Sequence, residues 1–288
     1  MSETRPSSTA SGLYIVATPI GNMGDITRRA IETLKAADLI ACEDTRVTSK
    51  LLLAHLIKKP LIPYHEHNGE RQRPRILEEL ALGKVVVLVS DAGTPLISDP
   101  GYKLVEDAQN QGYSVFGIPG PCAAITALSI AGLPTNKFTF LGFPPTKSGA
   151  RKNWFEAEKR NSGTLVYYES AKRLTDSLSD ARSVLGDRQA AVCRELTKKF
   201  EEVRRDNLSA LIDYYATHGN PKGEIVIVMA PNDQTSDEQT SAIDIDTTLT
   251  LALEHMSVKS AAKFAADLLG VNKKELYNRA LHLSGKKP

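Results

Sequence analysis

Cysteine is scarce, with three in 288 residues, and its placement excludes more than its number. Cys42, Cys122 and Cys193 are odd in count, far apart and without CxxC spacing. That argues against a zinc site and against a disulfide framework. They read as small apolar residues of a reducing compartment, which points to the cytoplasm. Long hydrophobic runs are missing too, and no apolar stretch approaches the roughly 20 residues needed to cross a bilayer. No membrane partner is expected. Residues 1–12 are polar and rich in Ser and Thr, with no basic start leading into an apolar run, so they read as a disordered N-terminus and not a secretory signal. An excess of one charge is also lacking. Lys and Arg number 36 against 34 Asp and Glu, and a net charge of +2 announces no nucleic-acid partner by itself.

What is present is an ordinary globular composition, 41% hydrophobic, in a chain long enough for two domains at roughly 150 residues each. Leu13–Ala17, Leu39–Cys42, Leu61–Tyr64, Lys84–Val89 and Tyr113–Ile118 read as strands. Helical patterns lie between them: Ile26, Ala30 and Leu34 behind a capping Asp25, a stretch after Arg71, and Leu104–Gln111. Such alternation implies parallel pairing, because a parallel crossover usually runs as a helix. The run KVVVLV at 84–89 lacks alternation, as a strand covered on both faces does. A second unit starts near Phe138. In it Thr164–Tyr168, Ala190–Arg194, Lys199–Arg204 and Glu224–Met229 read as strands, and Leu174–Leu185 and Leu208–Thr217 as helices. The expected class is α/β: an N-terminal domain over 13–135 and a C-terminal domain over 136–230.

Residues 231–248 hold no Lys or Arg but carry Asp233, Asp237, Glu238, Asp244 and Asp246, and read as an acidic linker. A helical tail over 249–288 follows. Val258, Ala261, Ala262, Ala265 and Leu269 keep helical spacing up to Gly270, a C-cap, and Asn272 caps a last helix with Glu275 three positions on. From Ser257 onward seven basic residues stand against two acidic ones. Two short helices joined at a glycine, the second one basic, suggest a helix-turn-helix that contacts RNA.

In open α/β sheets ligands gather beyond the carboxyl ends of strands, and the unusual residues fall there. Thr18–Asp25 holds Gly21 and Gly24 but lacks the GxGxxG of a dinucleotide site. Ser90–Gly101 is a twelve-residue loop of Gly, Pro, Asp and hydroxyls directly after the most buried strand. Loops that long in compact domains are usually functional. Ile118–Ala124 supplies small residues at a helix start. Tyr167–Ser170, Arg194–Lys198 and 222–224 come from the second unit.

Together, ATPIGNMGDIT, EDTR, HEHN, SDAGTPLISDPGY, PGPCAAITAL, YYES, RELTK and KGE resemble the tetrapyrrole (corrin/porphyrin) methylase superfamily over about residues 13–230. The nearer resemblance is to its branch of 16S rRNA cytidine-2′-O-methyltransferases. It implies two α/β domains with S-adenosylmethionine in the cleft between them, a homodimer, and small-subunit ribosomal RNA or the assembled small subunit as partner. It also implies cofactor contacts from Ile20, Asp91, Gly93, Thr94, Cys122, Ala123, Tyr168, Leu196 and Glu224. No metal is implied.

For the chemistry, a ribose hydroxyl needs a base or a hydrogen-bond acceptor before it attacks. The candidates are Glu43, Asp44, His65, His67 and Asp91, of which Asp91 better suits the cofactor, with Glu195 on the opposite wall. Sequence does not single out one base. Arg46, Arg151, Lys152 and Lys198, and in the tail Lys273, Lys274 and Arg279, are the candidate RNA contacts. Two rivals stand nearest, with a nicotinamide dehydrogenase more distant for want of GxGxxG. A small-molecule tetrapyrrole methylase leaves the basic tail without a role, and a non-catalytic RNA-binding module leaves the cleft motifs without one.

Overall fold

The computed structural model describes residues 9–231 and 237–284, with side chains beyond the gap from residue 245 onward. The described residues up to Pro231 make one compact unit, and those beyond make a second. Most of the expected disordered N-terminus, the start of the expected linker, and Lys286 and Lys287 lie outside the described residues.

The first half builds a five-stranded, wholly parallel sheet in the order β3-β2-β4-β1-β5. Its strands are β1 (Gly12–Val16), β2 (Leu39–Cys42), β3 (Leu61–Pro63), β4 (Val85–Val89) and β5 (Val115–Ile118). Every residue of β4 is buried, as its unbroken apolar run predicts. One face packs with Val16, Leu34 and Leu51, the other with Leu13, Ile76 and Leu104. The intervening helices are α1 (Arg28–Ala36), α2 (Thr45–Ala54), α3 (Gly69–Ala81) and α4 (Tyr102–Asn110), and α5 (Ala123–Ile130) follows β5. Asp25 does not cap α1. It ends a single 3-10 turn (Met23–Asp25) capped by Asn22, and the Thr27 hydroxyl takes the Ala30 N–H at 3.1 Å. A cap must sit two or three residues before the amide it accepts, and Thr27 is the one in place.

The second half forms a sheet in the order β6-β7-β10-β8-β9: β6 (Phe138–Phe140), β7 (Thr164–Ser170), β8 (Gln189–Arg194), β9 (Glu202–Asn207) and β10 (Glu224–Met229). Only β6 and β7 pair parallel; the other three pairings are antiparallel. The last edge strand begins at Glu202, three residues later than the expected Lys199. Along β7 the side chains alternate, as strand geometry requires. Leu165 and Tyr167 enter a core with α6 (Ser148–Glu156), α7 (Leu174–Leu185) and α8 (Leu208–His218). Val166 and Tyr168 enter another with Ile20 and α5. This last cluster, with Ala127, Leu128, Cys193 and Val226, ties the two halves together.

Beyond the gap, α9 (Asp237–His255), α10 (Val258–Leu269) and α11 (Lys273–Leu283) pack around Leu249, Ala262, Ala265, Leu276 and Ala280. Gly270 ends α10 in the left-handed conformation, and Asn272 caps α11 through the Lys274 N–H. The acidic stretch from Asp237 on is helix, not linker. The later part of this helix, through Ile245, Leu249 and Leu253, packs with α10 and α11, which composition alone understates.

Candidate active site

The site grows out of loops tied to one another by backbone. After β1, Thr18 and Gly93 exchange two backbone hydrogen bonds, with Thr18 N donating at 2.8 Å and Gly93 N at 3.1 Å. The Thr94 hydroxyl donates to the Pro121 carbonyl at 3.0 Å. Three loops from separate strand ends are thereby fixed as one. Gly93 has φ +79°, and a Cβ there would sit 3.3 Å from the Ile20 Cγ2, so glycine both permits the turn and keeps the space beside Ile20 clear.

The second half closes in through the loop after β8. Asn22 N–H donates to the Thr197 hydroxyl at 3.2 Å. The Glu195 carboxylate accepts from the Lys198 ammonium at 2.9 Å and from the Glu224 N–H at 3.0 Å, and Lys198 also reaches Glu224 at 2.8 Å. Glu195 and Thr197 hold positive φ of 49° and 66°, as do Leu96 and Ser98 at 73° and 65°. Positive φ in residues other than glycine costs energy, and it gathers where a loop must be held in one shape for a ligand.

These loops enclose a cavity of about 430 Å³, within the usual range for cofactor sites. Ile20, Gly93, Thr94, Cys122, Ala123, Tyr168, Leu196 and Glu224 line it, which is eight of the nine expected cofactor residues. Asp91 lies outside its wall, because its carboxylate turns away to accept the Asp44 N–H at 3.0 Å. Sequence reasoning missed Ser98, Asp99, Phe143 and Glu169, which also line the cavity. Asp99 stood in plain view in the twelve-residue loop, and Glu169 in YYES. The Phe143 ring is 5.2 Å from that of Tyr168 and largely exposed. Burial pushes the Tyr168 hydroxyl up to about 12, which keeps it a neutral donor. The Glu169 side chain is fully buried and its Oε1 is held by Arg173 and the Ser170 N–H, while Oε2 has no partner.

A second, more open depression of about 950 Å³ holds the acidic and histidine residues. Glu43, Asp44, His65, His67 and Asp91 line it with Lys103 and Tyr102. Ser98 and Asp99 line both spaces and form the wall between them. The carboxylates there behave differently. Asp44 caps α2 through the Arg46 N–H and pairs with the Arg46 side chain, whose hydrogen bonds pull its carboxyl down to about 2. Burial raises Glu43, with the charges of Asp91 and Asp99 adding to it. Burial likewise raises Asp91 and Asp99. The His65 ring leaves Nδ1 buried without a partner, 6.1 Å in ring separation from His67. Among the described residues no group of three His, Cys, Asp or Glu converges as metal ligands.

Several expected roles fail on geometry. Glu195 lines neither space and is spent on Lys198 and Glu224, whose N–H holds its carboxyl low. Asp44 is likewise spent as a cap. Arg151 is buried at 3% exposure, paired with Asp180 at 2.6 Å, and offers nothing to a phosphate. Arg279 is gripped by both oxygens of Asp246 at 2.7 and 2.8 Å, and so braces α9 against α11. The Lys198 charge is neutralised by two glutamates. Arg46 reaches solvent but carries Asp44 with it. Lys152 is half exposed beside Asp180, and Lys273 and Lys274 are exposed in the first turn of α11.

Comparison with known proteins fits this geometry. The profile of the tetrapyrrole (corrin/porphyrin) methylases matches residues 12–212. The chain belongs to that family. A second profile, described as the RsmI C-terminal HTH domain, matches residues 239–284. A relative from Mesorhizobium japonicum named ribosomal RNA small subunit methyltransferase I is 48% identical over 94% of this chain and 92% of its own length. Proteins of the same name from Escherichia coli O157:H7 (44%; 95% of this chain and 96% of that one) and Pseudomonas aeruginosa (43%; 96% and 99%) are close behind. Among solved structures, diphthine synthase aligns with a TM-score of 0.57 at 17% identity over 76% of this chain and 89% of its own. A cobalt precorrin-4 methyltransferase gives 0.53 at 19% over 76% and 94%. At such identities these two show the fold alone.

Members of this methylase family use S-adenosylmethionine. The residues present suit it. The smaller cavity has the volume, small side chains leave room at Gly93 and Ala123, and Tyr168 and Phe143 offer aromatic faces for a purine. Among the described residues no helix is long and apolar enough to cross a membrane.

Proposed function

We propose that this chain is a cytoplasmic, homodimeric methyltransferase that uses S-adenosylmethionine to methylate the ribose 2′-hydroxyl of a cytidine in 16S ribosomal RNA. Relatives at 41–48% identity carry the name of a small-subunit rRNA methyltransferase. The observation that carries the reading is the pair of spaces meeting at Ser98 and Asp99: one small and largely apolar, the other open and ionisable. A small donor suits the first, and one nucleotide of a long polymer suits the second.

When bound, the cofactor supplies an electrophilic methyl on a sulfonium. The chain's task is positioning, the term from which much of the rate of such a displacement comes. The loop ties among Thr18, Gly93, Thr94 and Pro121 hold the donor cavity in shape. The Glu195–Lys198–Glu224 network closes its far edge. On the acceptor side Glu43 and His65 face the nucleotide, while Asp91 holds the start of α2 in place. Lys103 in the open depression and the solvent-accessible Lys152, Lys273 and Lys274 are among the cations that meet phosphates, which position RNA without reading its sequence. A tetrapyrrole substrate is the second reading, favoured by the family's description but leaving the helix-turn-helix match unexplained.

Purified protein given radiolabelled S-adenosylmethionine with small ribosomal subunits, free 16S rRNA or tetrapyrrole precursors tests this. Label is expected on a cytidine 2′-oxygen of the RNA. Label on a porphyrin and none on RNA overturns it.

A further inference from the structure

We infer that the exposed ring of Tyr102 is the surface on which the base of the methylated nucleotide stacks. This rests on the proposed methylation of RNA and deepens it by naming what holds the acceptor.

A ribose that reaches the wall at Ser98 and Asp99 enters through the open depression, and its base comes in with it. Taking a base out of its stack in the RNA costs free energy, which an aromatic face in the protein offsets. Among the described residues four rings line the depression: Tyr64, His65, His67 and Tyr102. Tyr64 is buried at 3% exposure and offers no face. His65 and His67 stand edge to face and occupy each other. Tyr102 is 66% exposed and presents a larger face than an imidazole. Phe143 and Phe200 are exposed to a like degree, but Phe143 lines only the donor cavity and Phe200 neither space.

The Tyr102 ring is also held in place. Its hydroxyl donates to the Glu106 carboxylate at 3.0 Å, one turn along α4. That bond raises the hydroxyl from its ordinary value, so the ring stays neutral beside a polyanion. Tyr102 opens α4, whose Leu104 and Ala108 are buried against the sheet. Gly101 before it has φ +138°, and a Cβ there would stand 2.8 Å from the Leu88 side chain, so this turn sits tightly on β4. A ring already fixed loses little freedom when a base lands on it. Lys103, next in the chain, lines the same depression and supplies a charge for an adjoining phosphate.

The test is Tyr102→Ala in the full chain, with Tyr102→Phe and Tyr102→Trp beside it. With Ala, kcat/KM for 16S rRNA should fall at least tenfold, in the range of a lost base–aromatic stack. Phe and Trp keep a face and should stay within threefold of wild type. Titration calorimetry with S-adenosylhomocysteine and thermal unfolding should be unaltered in all three. Contact is read directly with a 16S rRNA fragment carrying 5-iodocytidine at the methylated position, which ultraviolet light should cross-link to the peptide holding Tyr102. Ala within threefold of wild type, Phe as damaging as Ala, or a cross-link on another element overturns the assignment. Wild-type protein that labels no RNA instead brings down the functional reading, and this contact with it.

Discussion

The two adjoining spaces are built from opposite materials. The proposed donor cavity takes its walls from both sheets and is mostly glycine, alanine and apolar side chains, with Thr94, Ser98, Asp99, Glu169 and Glu224 among them. The proposed acceptor depression is drawn from the first half alone and carries carboxylates, histidines, an arginine and a lysine. Shape does the work on one side, and titratable chemistry on the other. Substitutions should therefore separate cleanly into those that lose donor and those that lose acceptor.

The largest effect is expected from a residue in neither space. Arg151→Ala leaves the buried Asp180 with only the Ser148 hydroxyl and the half-exposed Lys152 at 3.6 Å, which costs about 3 kcal/mol. Thermal or urea unfolding reads it, while rRNA affinity per folded molecule should stay unchanged. A loss of RNA affinity without a loss of stability would return Arg151 to the RNA face.

Next comes Gly93→Ala, which places a Cβ against Ile20 at a positive φ. Affinity for S-adenosylhomocysteine should drop at least tenfold, about 1.4 kcal/mol, with RNA affinity retained. His65→Ala should do the reverse and more mildly, raising KM for the ribosomal substrate severalfold while calorimetry of the donor product is unaltered. If either variant damages both affinities equally, the division into two spaces fails. Smallest of all, Thr27→Ala should cost about 1 kcal/mol of stability through the lost α1 cap and touch neither affinity. Across all variants RNA affinity should fall steeply with added salt, because binding releases counterions from the phosphates.

The same division marks what could be read from sequence. Residues of the donor cavity sit in ordered motifs whose glycines and prolines advertise a shaped loop, and eight of nine fall on its wall. Burial and pairing are the part a linear reading cannot see. Arg151 looks like any basic residue of a polar stretch until α6 turns it onto Asp180. Asp44 looks like a strand-end acid until α2 starts behind it. Asp99 looks like Asp91 until the loop sets it on the wall between the two spaces. Strand positions in both sheets follow apolar runs, but the antiparallel pairing of β7, β10, β8 and β9 is set by packing, not by composition. The acidic run before α10 read as a linker because the residues that Ile245 and Leu249 pack against come later in the chain.

Hydrogen exchange of the full chain with and without S-adenosylhomocysteine bears most directly on this division. Protection should rise at the amides of Gly93–Thr94, Cys122–Ala123, Leu196 and Glu224–Val226, and stay level at Glu43–Asp44 and His65–His67. Protection gained at the acids and histidines, with the glycine loop unchanged, would contradict it.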